Sequence, residues 1–267
     1  MEPKFFDVHT HLNIQFDKDW SEVGQRALGK NVWFINIGAN EKSSKLALEQ
    51  VEKLGIGAWA SVGIHPTENN PGNFLEIRKL AEAEKVVAIG ECGLEYFRQK
   101  DELNKERQKE LFKQHIELSV ELGKPLMIHC RPASPHVFGE IQDAYEDIWE
   151  ILNFYKEQNG DRLCFNLHFF LGDWTVAQKF LALDGYLSFP GVITFSDQAD
   201  EVIKKMPLDR LMSETDAPFA TPIPNRGQRN EPAYIQFVAE RIASLRSEDE
   251  GEVLSALVSN ARRFFGV

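Results

Sequence analysis

An α/β fold, a TIM (β/α)8 barrel, is what this sequence predicts, on three observations. Eight short apolar runs recur along the 267 residues, with helical patterns between them. Most of the runs are near-continuous rather than alternating, as strands buried on both faces are. Seven side chains with metal-site chemistry, His9, His11, His65, Glu91, His129, His168 and Asp216, fall at or just past the ends of such runs, the end at which a barrel presents its reactive groups. A doubly wound open sheet would need fewer strands. It explains less well why candidate residues recur from the first run to the last.

Each element has its own support in the chain. The first run, 5–10, reads Phe-Phe-Asp-Val-His-Thr, and the second, 32–38, is followed by an amphipathic helical pattern over 41–54. The third run, 58–64, precedes a helical stretch at 71–84. The fourth, 86–92, precedes a helix over 105–122 whose stripe carries Leu111, Phe112, His115, Ile116, Ser119 and Leu122. The fifth, 125–130, precedes a helix over 137–155 that repeats Phe138, Ile141, Tyr145, Ile148, Leu152 and Tyr155. The runs 163–168, 185–189 and 211–214 follow, and helices over 232–245 and 253–265 end the chain.

Bulk composition sets limits. With 43% hydrophobic and 27% charged residues, the chain can bury a large core, and one domain over 1–267 is expected. The formal charge of −11, from 30 basic and 41 acidic residues, argues against binding nucleic acid through a broad basic surface. It leaves a phosphodiester substrate open, because bound divalent cations invert the local field. Cys92, Cys130 and Cys164 form no CxxC, so a reduced compartment is expected rather than a disulfide framework. The N-terminus is too polar for a signal peptide, and no apolar run approaches the roughly 20 residues of a membrane span. A soluble, cytoplasmic protein with no membrane contact and no obligate protein partner is the expectation.

His9 and His11 are spaced i, i+2, so on a strand both imidazoles face one side and can reach one cation. Glu91 closes Val-Val-Ala-Ile-Gly; a carboxylate there needs a partner, and its two oxygens can bridge two metals. His129 and His168 each close a buried run. Singly, each of these has a bland alternative, a structural salt bridge or a satisfied core histidine; together they make coincidence unconvincing. Asp216, in Ser-Glu-Thr-Asp-Ala-Pro, suits a ligand that also orients an attacking water, against a turn or N-cap aspartate. His65, in Gly-Ile-His-Pro, is expected to contact substrate or to hydrogen-bond a ligand rather than to bind metal itself. Arg131 shares a strand side with His129 and suits a phosphate oxygen. Arg226 and Arg229, after the last run, are phosphate clamps or plain surface charges. His115 is read as core, Cys92 and Cys130 as packing residues, and His136 is assigned no role.

These motifs resemble the TatD family of metal-dependent deoxyribonucleases. Asp7-Val-His9-Thr-His11-Leu, Gly63-Ile-His65-Pro66, Gly90-Glu91-Cys92-Gly93-Leu94, Ile128-His129-Cys130-Arg131, His168-Phe-Phe and Glu214-Thr-Asp216-Ala-Pro218 stand in order from residue 5 to about 240, with a similar loop at 226–232. The resemblance implies an amidohydrolase-type barrel with two divalent metal ions. His9, His11 and Asp216 would hold one, His129 and His168 the other, and Glu91 would bridge. His65 and Arg131 would face the substrate, and a monomer is implied. The chain departs from the family's usual pattern at Asn13, Glu95, Phe169, Leu171 and Pro190, which bears on pocket shape rather than on the ligands.

The expected function is metal-dependent hydrolysis of DNA phosphodiester bonds, at ends or in short single strands, with Asp216 and Glu91 as catalytic residues. Mixed histidine and carboxylate donors suit Mg, Mn or Zn. A binuclear amidohydrolase or lactonase acting on a small ester or amide would use the same cage. A barrel that binds a ligand without turning it over is a third reading, opposed by the complete ligand set.

Overall fold

The computed structural model describes residues 2–16, 18–68, 72–99, 101–133 and 143–267. Strands and helices alternate along them: β1 Phe5–Thr10, α1 Trp20–Gly29, β2 Val32–Ile37, α2 Glu41–Leu54, β3 Ala58–Val62, α3 Phe74–Ala81, β4 Val86–Glu95, α4 Glu102–Leu122 and β5 Leu126–Arg131. There follow α5 Asp143–Asn159, β6 Phe165–Leu167, α6 Trp174–Leu181, β7 Tyr186–Phe189, α7 Asp200–Lys205, β8 Leu211–Ser213, α8 Ile235–Leu245 and α9 Glu250–Phe265. Among the described residues the strands form one eight-stranded sheet in the order β1 to β8, and every adjacent pair is parallel.

Backbone hydrogen bonds beside the site bring the last strand back to the first. A parallel bridge joins Thr10 to Ala217. The Asp216 N–H donates to the His9 carbonyl at 2.9 Å, and the His11 N–H to the Ala217 carbonyl at 2.7 Å. The barrel therefore closes through the backbone of three candidate site residues.

Register irregularities shape the strands, two of them beside candidate ligands. The β1–β2 register shifts between Asp7 and Thr10, and the β4–β5 register between Ile89 and Cys92. Bulges re-aim side chains next to active sites, and these two bracket His9 and Glu91. Glu91 was expected to close the fourth run, but β4 continues past it to Glu95. Gly93, Leu94 and Glu95 stay paired with His129, Cys130 and Arg131. Only glycine suits position 93: φ is +130°, and a Cβ would lie 2.1 Å from the His129 carbonyl oxygen.

Helix boundaries follow their caps. The stretch expected at 71–84 is a helix only over Phe74–Ala81, because Asn73 caps it by accepting the Leu75 N–H at 3.0 Å. Pro71 lies outside the described residues, as do residues 137–142 of the helix expected at 137–155 and His136. That helix is described over Asp143–Asn159. The core has two parts. One joins the outer strand faces to the helices. The other gathers Phe6, Val8, Ile35, Ile37, Met127 and Met212 with Ala261 and Phe265 of α9. Phe265 stacks on Phe6 near the start of β1, so α9 packs at the end of the barrel opposite the strand C-termini.

Candidate metal centre

Strand C-termini deliver the candidate ligands to one place. The His9 and His11 Nε2 atoms lie 3.1 Å apart. Both stand 3.7 Å from Glu91 Oε2, and they lie 3.8 and 3.6 Å from Asp216 Oδ1. On the other side of the carboxylate, Glu91 Oε1 is 2.9 Å from His129 Nδ1 and 3.0 Å from His168 Nε2, and these two nitrogens are 3.4 Å apart. All six residues come together, each with less than a fifth of its side chain exposed.

The donor set fits divalent cations. Donors about 2.0–2.1 Å from a tetrahedral ion sit roughly 3.3–3.4 Å from one another, close to the spacing found on both sides of Glu91. The protons also fall short. His11 Nδ1–H donates to the Ile37 carbonyl at 3.1 Å, which leaves Nε2 a lone pair directed into the cage. With neutral rings, that lone pair meets two carboxylate oxygens and the His9 ring, with at most one proton among them. Several lone pairs converging in a buried space call for a cation. His9 Nδ1 has no hydrogen-bond partner and is buried. Ligand-atom proximity also permits the trios His9–His168–Asp216 and His65–Glu91–His129.

Hydrogen bonding argues for a different part for His65. The Thr67 N–H donates to its Nδ1 at 3.2 Å, and Thr67 Oγ1 lies 2.6 Å from the same nitrogen. Nδ1 is thus the acceptor and Nε2 carries the proton, 3.4 Å from Glu91 Oε1. A ring that already holds a proton on its inward nitrogen suits donation to an anionic substrate better than ligation. Burial lowers the His65 pKa to about 3, so the ring is neutral.

Electrostatics maintain the anion at the centre. Burial pushes the Glu91 carboxyl upward, but His65, His168 and His129 outweigh it and hold it well below the usual carboxylate range. Burial works against the His168 and His129 cations as well. Glu91 and Glu214 nevertheless raise His168 well above its ordinary value, and Glu91 and Glu95 raise His129. His9, losing to burial and to the neighbouring His168, is lowered well below its ordinary value.

Several contributors were not legible as site residues. Glu95 Oε2 lies 3.3 Å from His129 Nε2. Glu214 Oε1 lies 3.4 Å from His168 Nδ1, without hydrogen-bond geometry, and accepts the Phe169 N–H at 2.7 Å. Ser188 donates to its other oxygen. Asp216 and Phe169 hold φ of 55° and 51°, a region that non-glycine residues enter rarely and mostly where function or turns require it. Asn13 donates to the Ile37 and Ser43 carbonyls at 2.9 Å each, contacts an aspartate could not make.

A cavity of about 820 Å³ opens above the cage, lined by His11, His65, Glu91, His129, His168 and Asp216 below and by Phe97, Arg98, Arg131, Phe169, Leu171 and Phe219 above. Arg131 reaches it, stacked 4.3 Å over the Phe97 ring. Arg226 and Arg229 are not among its described lining residues. Arg226 stacks on Phe195 at 3.6 Å. Arg229 pairs with Asp19 and the Gln15 carbonyl and lies over Phe16. The long loop after β8 turns both outward to these partners. Cys92 is buried, whereas Cys130 is half-buried, packs against the core and also lines the cavity.

Known proteins match this sequence and fold along nearly the whole chain. A sequence profile described as TatD related DNase matches residues 6–266. The chain belongs to the TatD family. An uncharacterized metal-dependent hydrolase of Bacillus subtilis strain 168, YabD, is 38% identical, over 98% of this chain and 99% of its own. A 3'-5' ssDNA/RNA exonuclease TatD of Erwinia tasmaniensis is 31% identical, over 98% of this chain and 100% of its own. The crystal structure of YJJV, a TatD homologue from Escherichia coli K12, superposes with a TM-score of 0.85 at 26% identity and covers both chains fully. As a TatD-family member the chain is a metal-dependent hydrolase with a TIM-barrel fold. Among the described residues, no helix is long and apolar enough to cross a membrane.

Proposed function

We infer that this TatD-family hydrolase cleaves phosphodiester bonds in nucleic acid, acting on single-stranded DNA or strand ends. The observation that carries the reading is one carboxylate, Glu91, set between two groups of inward-facing donors, with the Arg131 guanidinium in the wall of the same cavity. The relative named as an ssDNA/RNA exonuclease supports the substrate class.

His9, His11 and Asp216 would hold one divalent ion, and His129 and His168 a second, with Glu91 between them; Mg, Mn and Zn all suit these donors. When bound, the ions supply Lewis acidity toward water and toward the phosphoryl oxygens. The protein's own groups do the rest. Asp216 orients the attacking water and accepts its proton. Neutral His65 donates its Nε2–H to a phosphoryl oxygen. Arg131, backed by Glu95 4.0 Å away, binds a second oxygen.

The test is cleavage of end-labelled single-stranded oligonucleotides with Mg²⁺ or Mn²⁺. Cleavage should be abolished by EDTA, restored by added metal, and lowered roughly 10²- to 10⁴-fold by Asp216→Asn. Metal-loaded protein that leaves every strand intact, while hydrolysing a small ester or amide, would overturn the reading.

A further inference from the structure

Above the cage the cavity wall turns aromatic. Phe97, two residues past β4, and Phe219, three past Asp216, both line the cavity, and each is 45% exposed. Leaving two large rings that open to water forgoes their burial energy, so a covering ligand would recover it. In an eight-strand barrel ordered β1 to β8, the strands β4 and β8 face each other across the axis. The two rings therefore stand on opposite sides of the mouth. Phe219 lies edge-on to His11, with ring centroids 6.3 Å apart. Phe97 carries the Arg131 guanidinium over its ring, and the exposed Arg98 lines the same wall.

Flat rings on both flanks of an anion-binding centre, with guanidinium groups on the Phe97 side, match a chain of phosphates strung with flat bases. Phosphates go to the cations and bases go to the rings. A small ester or amide has no second ring for the far wall. Bases in a duplex already stack on each other and cannot offer their faces without unstacking, at a cost of a few kcal/mol. We propose that Phe97 and Phe219 are a pair of nucleobase platforms, one on each side of the scissile phosphate, through which the site selects single-stranded over paired substrate. This proposal rests on the nuclease reading above.

The test compares a short oligothymidylate with an abasic strand of equal length and charge, by fluorescence anisotropy on the full-length protein in Ca²⁺, with strand integrity checked on gels. Wild-type protein should bind the thymidine strand roughly 5- to 150-fold more tightly. In the Phe97→Ala/Phe219→Ala double variant that ratio should fall toward unity. Phe219→Leu, which stays apolar but has no planar face, should lower it in part. Equal affinity for the two strands in wild-type protein, or an unchanged ratio in a double variant that melts like wild type, overturns the platforms. Cleavage in Mn²⁺, followed on the same strands, separates the two claims. Cleavage without base preference sinks the platforms alone. No cleavage of either strand sinks the nuclease reading, and the binding ratio then still decides whether the rings hold bases.

Discussion

Two buried carboxylates stand behind the histidines that face Glu91. Glu95 reaches His129 Nε2, and Glu214 lies beside His168 Nδ1. Each histidine presents its opposite ring nitrogen to the cage; a hydrogen-bonded outer partner fixes a ligand's tautomer, and a neighbouring carboxylate raises its basicity. Glu95→Gln and Glu214→Gln should each weaken divalent-metal affinity about 10- to 100-fold, read by calorimetry on metal-stripped protein; unchanged affinity would remove their assigned part. His115 does related work further out. It is fully buried, donates from Nδ1 to the Leu111 carbonyl at 2.8 Å and accepts the Ile64 N–H at Nε2, 3.0 Å away, one residue before His65. Burial lowers its pKa from 6.5 to about 4. The unfolded chain therefore binds more protons than the folded one between these values, so stability from this residue is present above pH 6.5 and falls as pH drops toward 4. His115→Leu should be less stable at pH 8, by about 1–3 kcal/mol for the unsatisfied Ile64 N–H. It should also show a shallower loss of stability across the acid range, in denaturant titrations at stepped pH. Equal slopes would contradict this account.

At the scale of elements, β4 organises the centre. Its bulge directs Glu91 inward, and its extension to Glu95 follows β5 as far as Arg131. Gly93→Ala would place a methyl against the His129 carbonyl in an unfavourable backbone region and should destabilise the protein by more than about 1 kcal/mol. It should also reduce metal content in elemental analysis, because β5 must move. An unshifted melting curve with full metal content would show that the close approach matters little. The strands were legible in the sequence because parallel strands buried on both faces leave near-continuous apolar runs. The ligands were legible because they terminate such runs. The supports were not. Glu214 and His168 come from different strands, with Ser188 of the strand between them hydrogen-bonded to Glu214, a proximity that only the barrel creates. The helices α1, α6 and α7 span 10, 8 and 6 residues, too short for helical periodicity to stand out. The extension of β4 past residue 92 was hidden because Gly93 interrupts the apolar run, whereas its role is close strand approach.

The whole molecule places an anion-seeking site inside an acidic protein. A net charge of −11 disfavours long-range capture of nucleic acid, so on the proposed nuclease reading affinity would come from the mouth itself, from Arg98 and Arg131, the aromatic rings and any bound cations. Recognition would then be limited to the few nucleotides that enter the cavity, as the proposed action on ends or single strands requires. The proposed reaction needs side chains at the ends of β1, β4, β5 and β6, and from the segment after β8, to enclose two divalent ions together. The most direct measurement is a crystal structure of the protein with Mn²⁺, recorded at a wavelength where manganese scatters anomalously. The account predicts two anomalous peaks flanking Glu91, one bounded by His9, His11 and Asp216 and the other by His129 and His168. A map without anomalous density between these side chains would contradict it.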